Sequence, residues 1–354
     1  MSRFLQLHLL TFYPPANLNR DDSGRPKSAV MGGAPRLRVS SQSLKRAWRT
    51  SDVFAAALSG HLAQRTQRLG EDILAHLAGR GVSADAALKA ARAVAGVFGK
   101  IKAEKDNNPA RIEQLAFISP TERAAALAAA EQLAAGGEPA KPETLLARTD
   151  TAADIAMFGR MLADTPDFNR EAAVQVAHAV TTHKAVVEDD FYTAVDDLKK
   201  PAEDAGAGFL GEQGFGSGVF YLYICIDLAL LAKNLGGDTT LAATAIAALA
   251  EAASTIAPGG KQASFASRAR AHYLLAERGD QQPRTLAGAF VPAMTGDDLV
   301  RQSVKALEEW RQKLDAAYGP GADAIAAMDV AAGEGKLADI VAFCRQAAEG
   351  APVG

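Results

Sequence analysis

The segment Val219–Leu228 constrains the fold of this chain more than any other. It is almost continuously apolar and rich in aromatic and β-branched residues, which favours a buried central strand over an amphipathic helix. A second strand is predicted at Phe4–Leu10, where leucines alternate with Gln6 and His8, so this strand is expected to have one polar face. The chain is therefore expected to form a sheet with a buried middle.

Helices are predicted after the central strand, at Thr240–Ile256 and Asp297–Tyr318, with a further strand near Ala269–Ala276. Helices that cover a sheet define an α+β fold. The chain has 354 residues, of which 48% are hydrophobic, so it can bury a full core in one large or two ordinary domains.

From about residue 55 to residue 179 the sequence becomes rich in alanine. Helices are predicted there at Ala84–Val97, Thr121–Ala135 and Ala152–Leu162, separated by segments that contain Gly, Pro and Asn. This region is interpreted as a helical lobe inserted between two parts of the sheet.

The net charge is −3, but basic residues are concentrated between Arg20 and Thr50. This segment contains eight Lys and Arg residues against two Asp residues, whereas the remainder of the chain is acidic. Such a segment fits a surface that follows nucleic-acid phosphates, because binding a polyanion releases its counterions. A solvated basic loop is the alternative interpretation.

Proline and glycine residues predict a long irregular loop over Pro14–Pro35, in the first part of the basic segment. A brief strand is predicted at Leu37–Val39. Ser40 or Ser41 then provides the cap for a helix that runs through Trp48.

The predicted helix after Ser40 has a composition suited to phosphate. A helix N-terminus attracts anions, and Gln42, Lys45 and Arg49 are spaced along one helical face. The alternative is an amphipathic surface helix with Leu44 and Trp48 buried. Both interpretations can hold together.

Gly206, Gly208 and Gly211 have the spacing of a dinucleotide-binding motif, but no strand precedes them and no helix follows, so this site is rejected. A flexible glycine-rich arm is predicted instead. Four aromatic residues flank the arm: Phe191, Tyr192, Phe209 and Phe215. Their rings suit stacking on the bases of single-stranded RNA, with core packing as the alternative for each ring.

Motifs of an enzyme are missing from the sequence: there is no His-x-x-x-His, Cys-x-x-Cys or Gly-x-Ser-x-Gly. His178 and His183 are interpreted as structural, and no cofactor or metal is expected. Asp21 and Asp22 in the basic loop keep a metal-dependent endoribonuclease open as the alternative function.

Cys225 and Cys344 are far apart in sequence and are interpreted as ordinary thiols of a reducing compartment. The sequence has no run of about 18 uncharged apolar residues and no secretory signal at its start. A cytoplasmic protein with no membrane partner is expected.

Several segments resemble the CasC family, the RNA-binding backbone proteins of the type I-E CRISPR surveillance complex, Cascade. They lie in roughly the first 50 residues and between about 175 and 235. The matching segments are Asn17–Asp22, Gly32–Gly33, Arg36–Ala47, Ala177–His183, Phe191–Leu198 and Gly216–Tyr221.

The resemblance implies a hand-shaped protein. Its RRM-like (ferredoxin-like) palm would be formed by residues 1–55 and 179–354, with an inserted helical fingers domain at 56–178 and a thumb hairpin at about 186–218. Copies of such a subunit stack along the guide RNA, so the chain is expected to be a non-catalytic homo-oligomer.

The resemblance also implies RNA-binding residues. Those of the palm are Arg20, Lys27, Arg38, Ser40, Gln42, Lys45, Arg46 and Arg49. Residues that separate neighbouring nucleotides are Met161, Phe191, Tyr192 and Thr193. The implied partners are the CRISPR guide RNA, target DNA paired with it, the other Cascade subunits and a recruited nuclease-helicase, all acting in antiviral defence.

One departure from the family lies in the fingers. The family has a lysine-rich helix there that contacts DNA, whereas residues 136–148 contain only Lys141 and Arg148 as basic residues. Lys100, Lys102 and Lys105 are the alternative DNA contacts, although a solvated lysine run is the simpler interpretation.

Overall fold

A 19-residue strand, Phe209–Asp227, lies in the middle of the sheet and contains the apolar segment predicted to be the central strand. This position confirms the prediction. A computed structural model describes residues 3–146, 148–149, 151–162, 164–194 and 209–350.

In this part of the chain, the strands are β1 (Phe4–Ala16), β2 (Ser28–Met31), β3 (Ala34–Val39), β4 (Gln64–Thr66), β5 (Ala116–Ile118), β6 (Val174–Val176), β7 (Ala179–Thr181), β8 (Glu188–Ala194), β9 (Phe209–Asp227), β10 (Tyr273–Gly279) and β11 (Ala324–Asp329). The helices are α1 (Ser41–Arg49), α2 (Asp52–Ala57), α3 (Leu69–Ala78), α4 (Ala84–Ala95), α5 (Pro120–Ala134), α6 (Pro142–Leu145), α7 (Ala153–Phe158), α8 (Leu228–Asn234), α9 (Thr239–Thr255), α10 (Gln262–Phe265), α11 (Leu299–Tyr318) and α12 (Leu337–Glu349). Short 3₁₀ turns lie at Pro166–Phe168 and Ala287–Phe290.

The main sheet has the strand order β11-β10-β1-β9-β7-β3-β2, and these neighbours pair antiparallel. In β1, Phe4 lies opposite Gly279 on one side and Asp227 on the other. The other edge of β9 pairs in turn with β8, β7 and β6. Since β1 ends opposite Gly216, the Phe209–Phe215 part of β9 continues past it and forms a hairpin with β8.

Apolar side chains fill the space on both faces of this sheet. On one face, Leu5, Leu7 and Leu9 belong to a core that includes residues of α1, α9 and α12. On the other face, Leu10 and Tyr221 belong to a core closed by α11 and the second 3₁₀ turn. Helices therefore cover the sheet, and the α+β fold is confirmed.

Gln6 and His8 form the polar face expected on β1, but this face is buried. Gln6 and His8 are only 3% and 0% exposed, because the layer that contains α11 covers them. Their polar atoms are satisfied within the protein: the Tyr223 hydroxyl donates to Gln6 at 2.7 Å, and His8 bonds to Tyr221 and Glu277. Alternation of polar and apolar residues shows the period of the strand but not which layer lies above it.

The alanine-rich region forms a lobe with a core of its own, between Leu69 and Phe168. Helices α4 and α5 agree closely with the predicted ones, whereas α7 ends earlier than expected, at Phe158. Gly159 ends it with a φ of 78°, a conformation that L-residues rarely adopt. The limits of the fingers at 56–178 stay a prediction.

Two further boundaries differ from expectation. The region Pro14–Pro35 is not an irregular loop throughout, because β1 continues to Ala16 and β2 pairs with β3. The strand expected near Ala269–Ala276 begins at Tyr273. Helices α9 and α11 lie where they were predicted.

Among the described residues, no helix combines the length and the apolar character needed to cross a bilayer.

Candidate nucleic-acid interface

Helix α1 forms as its sequence predicts. Ser40 is the N-cap, and its side chain accepts a hydrogen bond from the Ser43 backbone N–H at 3.3 Å. Leu44 and Trp48 are buried in the core, 4% and 0% exposed. The amphipathic interpretation of this helix is confirmed, and its binding of phosphate stays a prediction.

A group of basic side chains lies beside the N-terminal end of α1. Nη1 of Arg38 lies 3.3 Å from Nδ1 of His178. Partial burial, and then the positive charges of Arg38, Lys27 and Lys45, lower the pKa of His178. Burial followed by the charge of Arg65 lowers the pKa of Lys45. We call Lys27, Arg38, Lys45, Arg65 and His178 the basic cluster.

The backbone fixes two of these cations relative to each other. Lys27 donates its N–H to the Asn19 carbonyl, and the Lys27 carbonyl accepts from the Arg38 N–H, each at 2.8 Å. The Asn19 side chain in turn accepts the Ser40 N–H at 2.9 Å. The loop that contains Asn19 and Lys27 is thereby joined to β3 and to the start of α1. Exposed Gln42 lies on the first turn of the same helix.

Arg20 and Arg46 lie in a separate groove. They line it together with Asn19, Ser43 and Gly260. Gly260 packs directly on the backbone, since a Cβ atom there would lie 2.2 Å from the Leu18 carbonyl oxygen. Of the predicted palm residues, Arg20 and Arg46 therefore lie in this groove, whereas Lys27, Arg38 and Lys45 belong to the basic cluster.

Arg49 has structural partners. Its Nε atom pairs with Asp154 at 3.0 Å, and its guanidinium lies 4.4 Å from the centre of the Phe117 ring. The arginine side chain is 14% exposed and the Asp154 side chain 1%. Arg49 therefore joins α1 to α7 and to β5, and its contact with RNA stays a prediction.

Arg36 contributes to the charge of the segment but not to its surface. The residue is fully buried and donates to the backbone carbonyls of Thr181, Phe290 and Val291. It ties β3 to β7 and to the second 3₁₀ turn. Counting charges along the sequence cannot show that Arg36 is buried, because the count includes buried and exposed residues alike.

The hairpin of β8 and β9 presents aromatic residues. Phe191 is 67% exposed, and Thr193 is exposed beside it. The Tyr192 ring lies over Gly211, its partner across the hairpin, where a Cβ atom would come within 2.5 Å of the ring. Phe215 packs on Phe265 at the base of the hairpin, as core packing predicts. The Phe209 side chain, Gly206 and Gly208 lie outside what the structure describes.

Met161 is 80% exposed and follows a firmly held arginine. Arg160 forms a buried ion pair with Glu122, at 2.6 Å, and both side chains are 1% exposed. Glu122 also completes the capping box of α5 with Ser119. The loop that carries Met161 is thereby fixed to a helix of the lobe.

Asp21 takes part in the turn of its own loop. Its carboxylate accepts hydrogen bonds from the Ser23 N–H and hydroxyl and from the Arg25 N–H. The bond from the Ser23 hydroxyl is the main cause of the lowered pKa of Asp21. Asp22 is exposed. Within the described ranges, no three His, Cys, Asp or Glu residues are grouped as metal ligands.

The two histidines interpreted as structural do bond to the backbone. His183 Nε2 accepts the Val219 N–H at 3.3 Å, and His178 Nδ1 accepts the Ser41 N–H at 3.1 Å. Cys225 and Cys344 are buried free thiols, and burial raises the pKa of both.

In the lobe, two of the three lysines considered as DNA contacts have acidic partners. Lys100 pairs with Glu113 at 3.0 Å and Lys102 with Asp106 at 3.6 Å. This pairing favours a solvated surface. Lys141 and Arg148 are exposed.

The fold of this chain is shared with subunits of known RNA-guided complexes. One chain from a structure described as "CRISPR RNA-guided surveillance complex, pre-nicking" is 32% identical, with a TM-score of 0.85 over 98% of this chain and 100% of that chain. A chain from a second "CRISPR RNA-guided surveillance complex" is 28% identical, with a TM-score of 0.72 over 96% and 99% of the two chains.

The family follows from the sequence. The profile of the CT1975-like protein family matches residues 5–343, and the chain belongs to this family. No curated protein matches the chain.

Proposed function

We propose that this chain is a guide-RNA-binding subunit of a Cascade-type CRISPR surveillance complex. The observation that carries the proposal is the basic cluster at the start of α1, in a chain that shares its fold over almost its whole length with surveillance-complex subunits. Cations grouped in this way bind phosphates through charge and counterion release. The protein then holds the RNA backbone and leaves the sequence to be read by base pairing.

The hairpin supplies the second part of the proposal. Phe191 and Met161 are large apolar side chains exposed to solvent at 67% and 80%. A flat ring such as Phe191 gains about 1–3 kcal/mol by stacking on a base, whatever the base is. We propose that these residues, with Tyr192 and Thr193, separate neighbouring nucleotides where copies of the subunit follow one another along the guide.

The assembly is proposed to be of type I-E, with target DNA pairing to the guide and a separate nuclease-helicase recruited to cleave it. In this proposal the chain itself is not an enzyme. The alternative is a metal-dependent endoribonuclease that uses Asp21 or Asp22. It predicts that Asp21→Ala or Asp22→Ala abolishes RNA cleavage and retains RNA binding.

The first experiment is to measure the mass of the purified chain by light scattering, with and without a co-expressed guide RNA, and to sequence the RNA that copurifies. A discrete multi-copy particle that contains short, repeat-derived RNA is expected. A monomer that binds no RNA contradicts the proposal, and a monomer that binds RNA points to a simple RNA chaperone. Cleavage of the RNA with added Mg²⁺ supports the endoribonuclease.

A further inference from the structure

The two nitrogens of the His178 ring are in different situations. Nδ1 lies 3.1 Å from the backbone N of Ser41 and 3.3 Å from Nη1 of Arg38. A backbone N–H and a guanidinium only donate, so Nδ1 accepts and carries no proton. The neutral ring must therefore hold its hydrogen on Nε2.

The Nε2–H group is available to a ligand. His178 lies in the short connection between β6 and β7, and its side chain is exposed. Among the described residues, none accepts a hydrogen bond from Nε2. A donor of fixed direction is thus presented at the surface beside Lys27, Arg38 and Lys45.

The start of α1 has few free N–H groups with which to bind an anion. Its Ser41 N–H is bonded to His178, and its Ser43 N–H is bonded to the Ser40 side chain. Two of the N–H groups that a helix N-terminus normally offers to an anion are therefore already occupied. An anion at this place must be bound mainly by the side chains around it.

We infer that His178, as a neutral ring, donates a hydrogen bond from Nε2 to a phosphate oxygen of the bound nucleic acid. This inference rests on the proposed function. The three cations attract the phosphate, and the ring adds a directional bond that fixes its position. In the free protein, partial burial and the same three cations keep the pKa of His178 below its ordinary value, so the ring is neutral at physiological pH before a phosphate binds.

The test is the affinity of the full chain for a single-stranded RNA, measured against salt concentration, in two variants. In His178→Asn the amide oxygen can still accept the Ser41 N–H, but the side chain ends before the position of Nε2. A hydrogen bond to a charged group is lost, so affinity is expected to fall roughly tenfold or more. The salt dependence should be unchanged, because a neutral donor displaces no counterion.

His178→Ala is the companion variant, because it removes the hydrogen bonds to Nδ1 as well as the inferred bond from Nε2. If His178→Asn binds as tightly as the wild type while His178→Ala is weakened, the ring only positions Ser41 and Arg38, and the inference is wrong. A reduced salt slope in His178→Asn also overturns it, because the ring would then bind as a cation. Equal thermal unfolding of His178→Asn and wild type ensures that affinity is compared in folded protein. Absence of RNA binding by the wild type would instead refute the proposed function.

Discussion

His8 is the middle of a buried chain of hydrogen bonds on the α11 side of the sheet. The Tyr221 hydroxyl donates to its Nδ1 at 2.9 Å, and its Nε2 donates to Glu277 at 3.2 Å. Arg284 binds both oxygens of the Glu277 carboxylate and also bonds to Asp315. A neutral imidazole satisfies both neighbours with one donor and one acceptor. Such a network specifies the layer above β1 more strictly than apolar contacts do.

This network predicts a pH dependence of stability. Burial lowers the pKa of His8 from its ordinary value of 6.5, with Glu277, Arg284 and Glu308 as the charged neighbours. The unfolded chain therefore takes up a proton near pH 6.5 and the folded chain does not. The stability that the neutral His8 ring contributes is complete above pH 6.5 and is lost progressively as the pH falls below it, towards the lowered pKa of the folded state.

The control for this prediction is His8→Gln, which keeps polar atoms in the site but cannot be protonated. The free energy of unfolding is measured by urea denaturation at several pH values between 7.5 and 5 for both proteins. The variant should lose less stability on acidification than the wild type, although it is less stable at neutral pH. Parallel pH profiles would show that His8 does not cause the loss.

Substitution of Lys45 tests RNA binding, whereas substitution of Arg49 tests stability. Lys45→Gln removes one charge of the basic cluster and should reduce the salt slope of RNA binding by roughly 0.7, the value for one contact to a single strand. Lys305→Gln, on α11 at the opposite face of the sheet, is the matched control and should leave the slope unchanged. If both variants keep the wild-type slope, the basic cluster does not bind phosphate.

Arg49→Ala should act first on folding. It removes the partner of Asp154, a carboxylate that is 1% exposed, and breaking a buried ion pair costs about 3–5 kcal/mol. Its midpoint of thermal unfolding should fall well below that of Lys45→Gln. Equal midpoints of thermal unfolding for the two variants would mean that the ion pair of Arg49 and Asp154 contributes little to stability.

At the scale of elements, the sequence predicts what depends on neighbouring residues in the chain. The apolar run of β9, the cap and apolar face of α1, and the positions of α4, α5, α9 and α11 all follow from local pattern. What it misses depends on contacts between distant segments. Contacts between distant segments produce the second layer over β1. They also bury Arg36, whose partners Thr181 and Phe290 are separated from it by 145 and 254 positions in the sequence.

The same limit applies to the candidate site. The spacing of Lys45 within α1 is local and is visible in the sequence, whereas its proximity to Arg65 and His178 depends on the lobe and on the β6–β7 connection. The partner of Arg49, Asp154, is 105 positions further along the chain. Sequence spacing therefore identifies the helix, and only the fold identifies the cluster.

The ion pair of Arg160 and Glu122 links two elements of the lobe and carries a prediction of its own. Arg160→Met removes the charge that pairs with Glu122 on α5, both side chains being 1% exposed. Loss of one member of a buried pair is expected to destabilise the lobe by about 3–5 kcal/mol. Hydrogen exchange should therefore become faster in α5 and in the loop of Met161.

Met161→Ala is the matched control, because its side chain is 80% exposed and should leave hydrogen exchange in α5 unchanged. The amides of β1 and β9 report on the main sheet, which has a separate core. Acceleration there equal to that in α5 would mean that the lobe does not unfold independently.

At the scale of the whole molecule, charge and exposed aromatic surface lie on different parts of the fold. The basic cluster surrounds the start of α1, whereas Phe191 lies on a hairpin that continues past the end of β1. In the proposed assembly, a phosphate contact acts within one copy of the chain, whereas a ring on such a hairpin would contact the next copy. The two surfaces should therefore be separable by mutation.

Phe191→Ala tests this separation. The residue is 67% exposed, so the midpoint of thermal unfolding should change little, and the salt slope of RNA binding should stay close to that of the wild type. Loss of stacking, about 1–3 kcal/mol per base, should weaken binding and reduce the number of copies on a long single-stranded RNA, measured by light scattering.

Tyr318→Ala provides the comparison, since it removes another exposed aromatic ring, 87% accessible at the end of α11. It should change neither the affinity nor the number of copies, because its position lies in neither proposed surface. If Phe191→Ala lowers the salt slope as much as Lys45→Gln does, the hairpin and the basic cluster do not act separately. If neither Phe191→Ala nor Tyr318→Ala changes the number of copies on the RNA, the ring of Phe191 has no part in assembly along RNA.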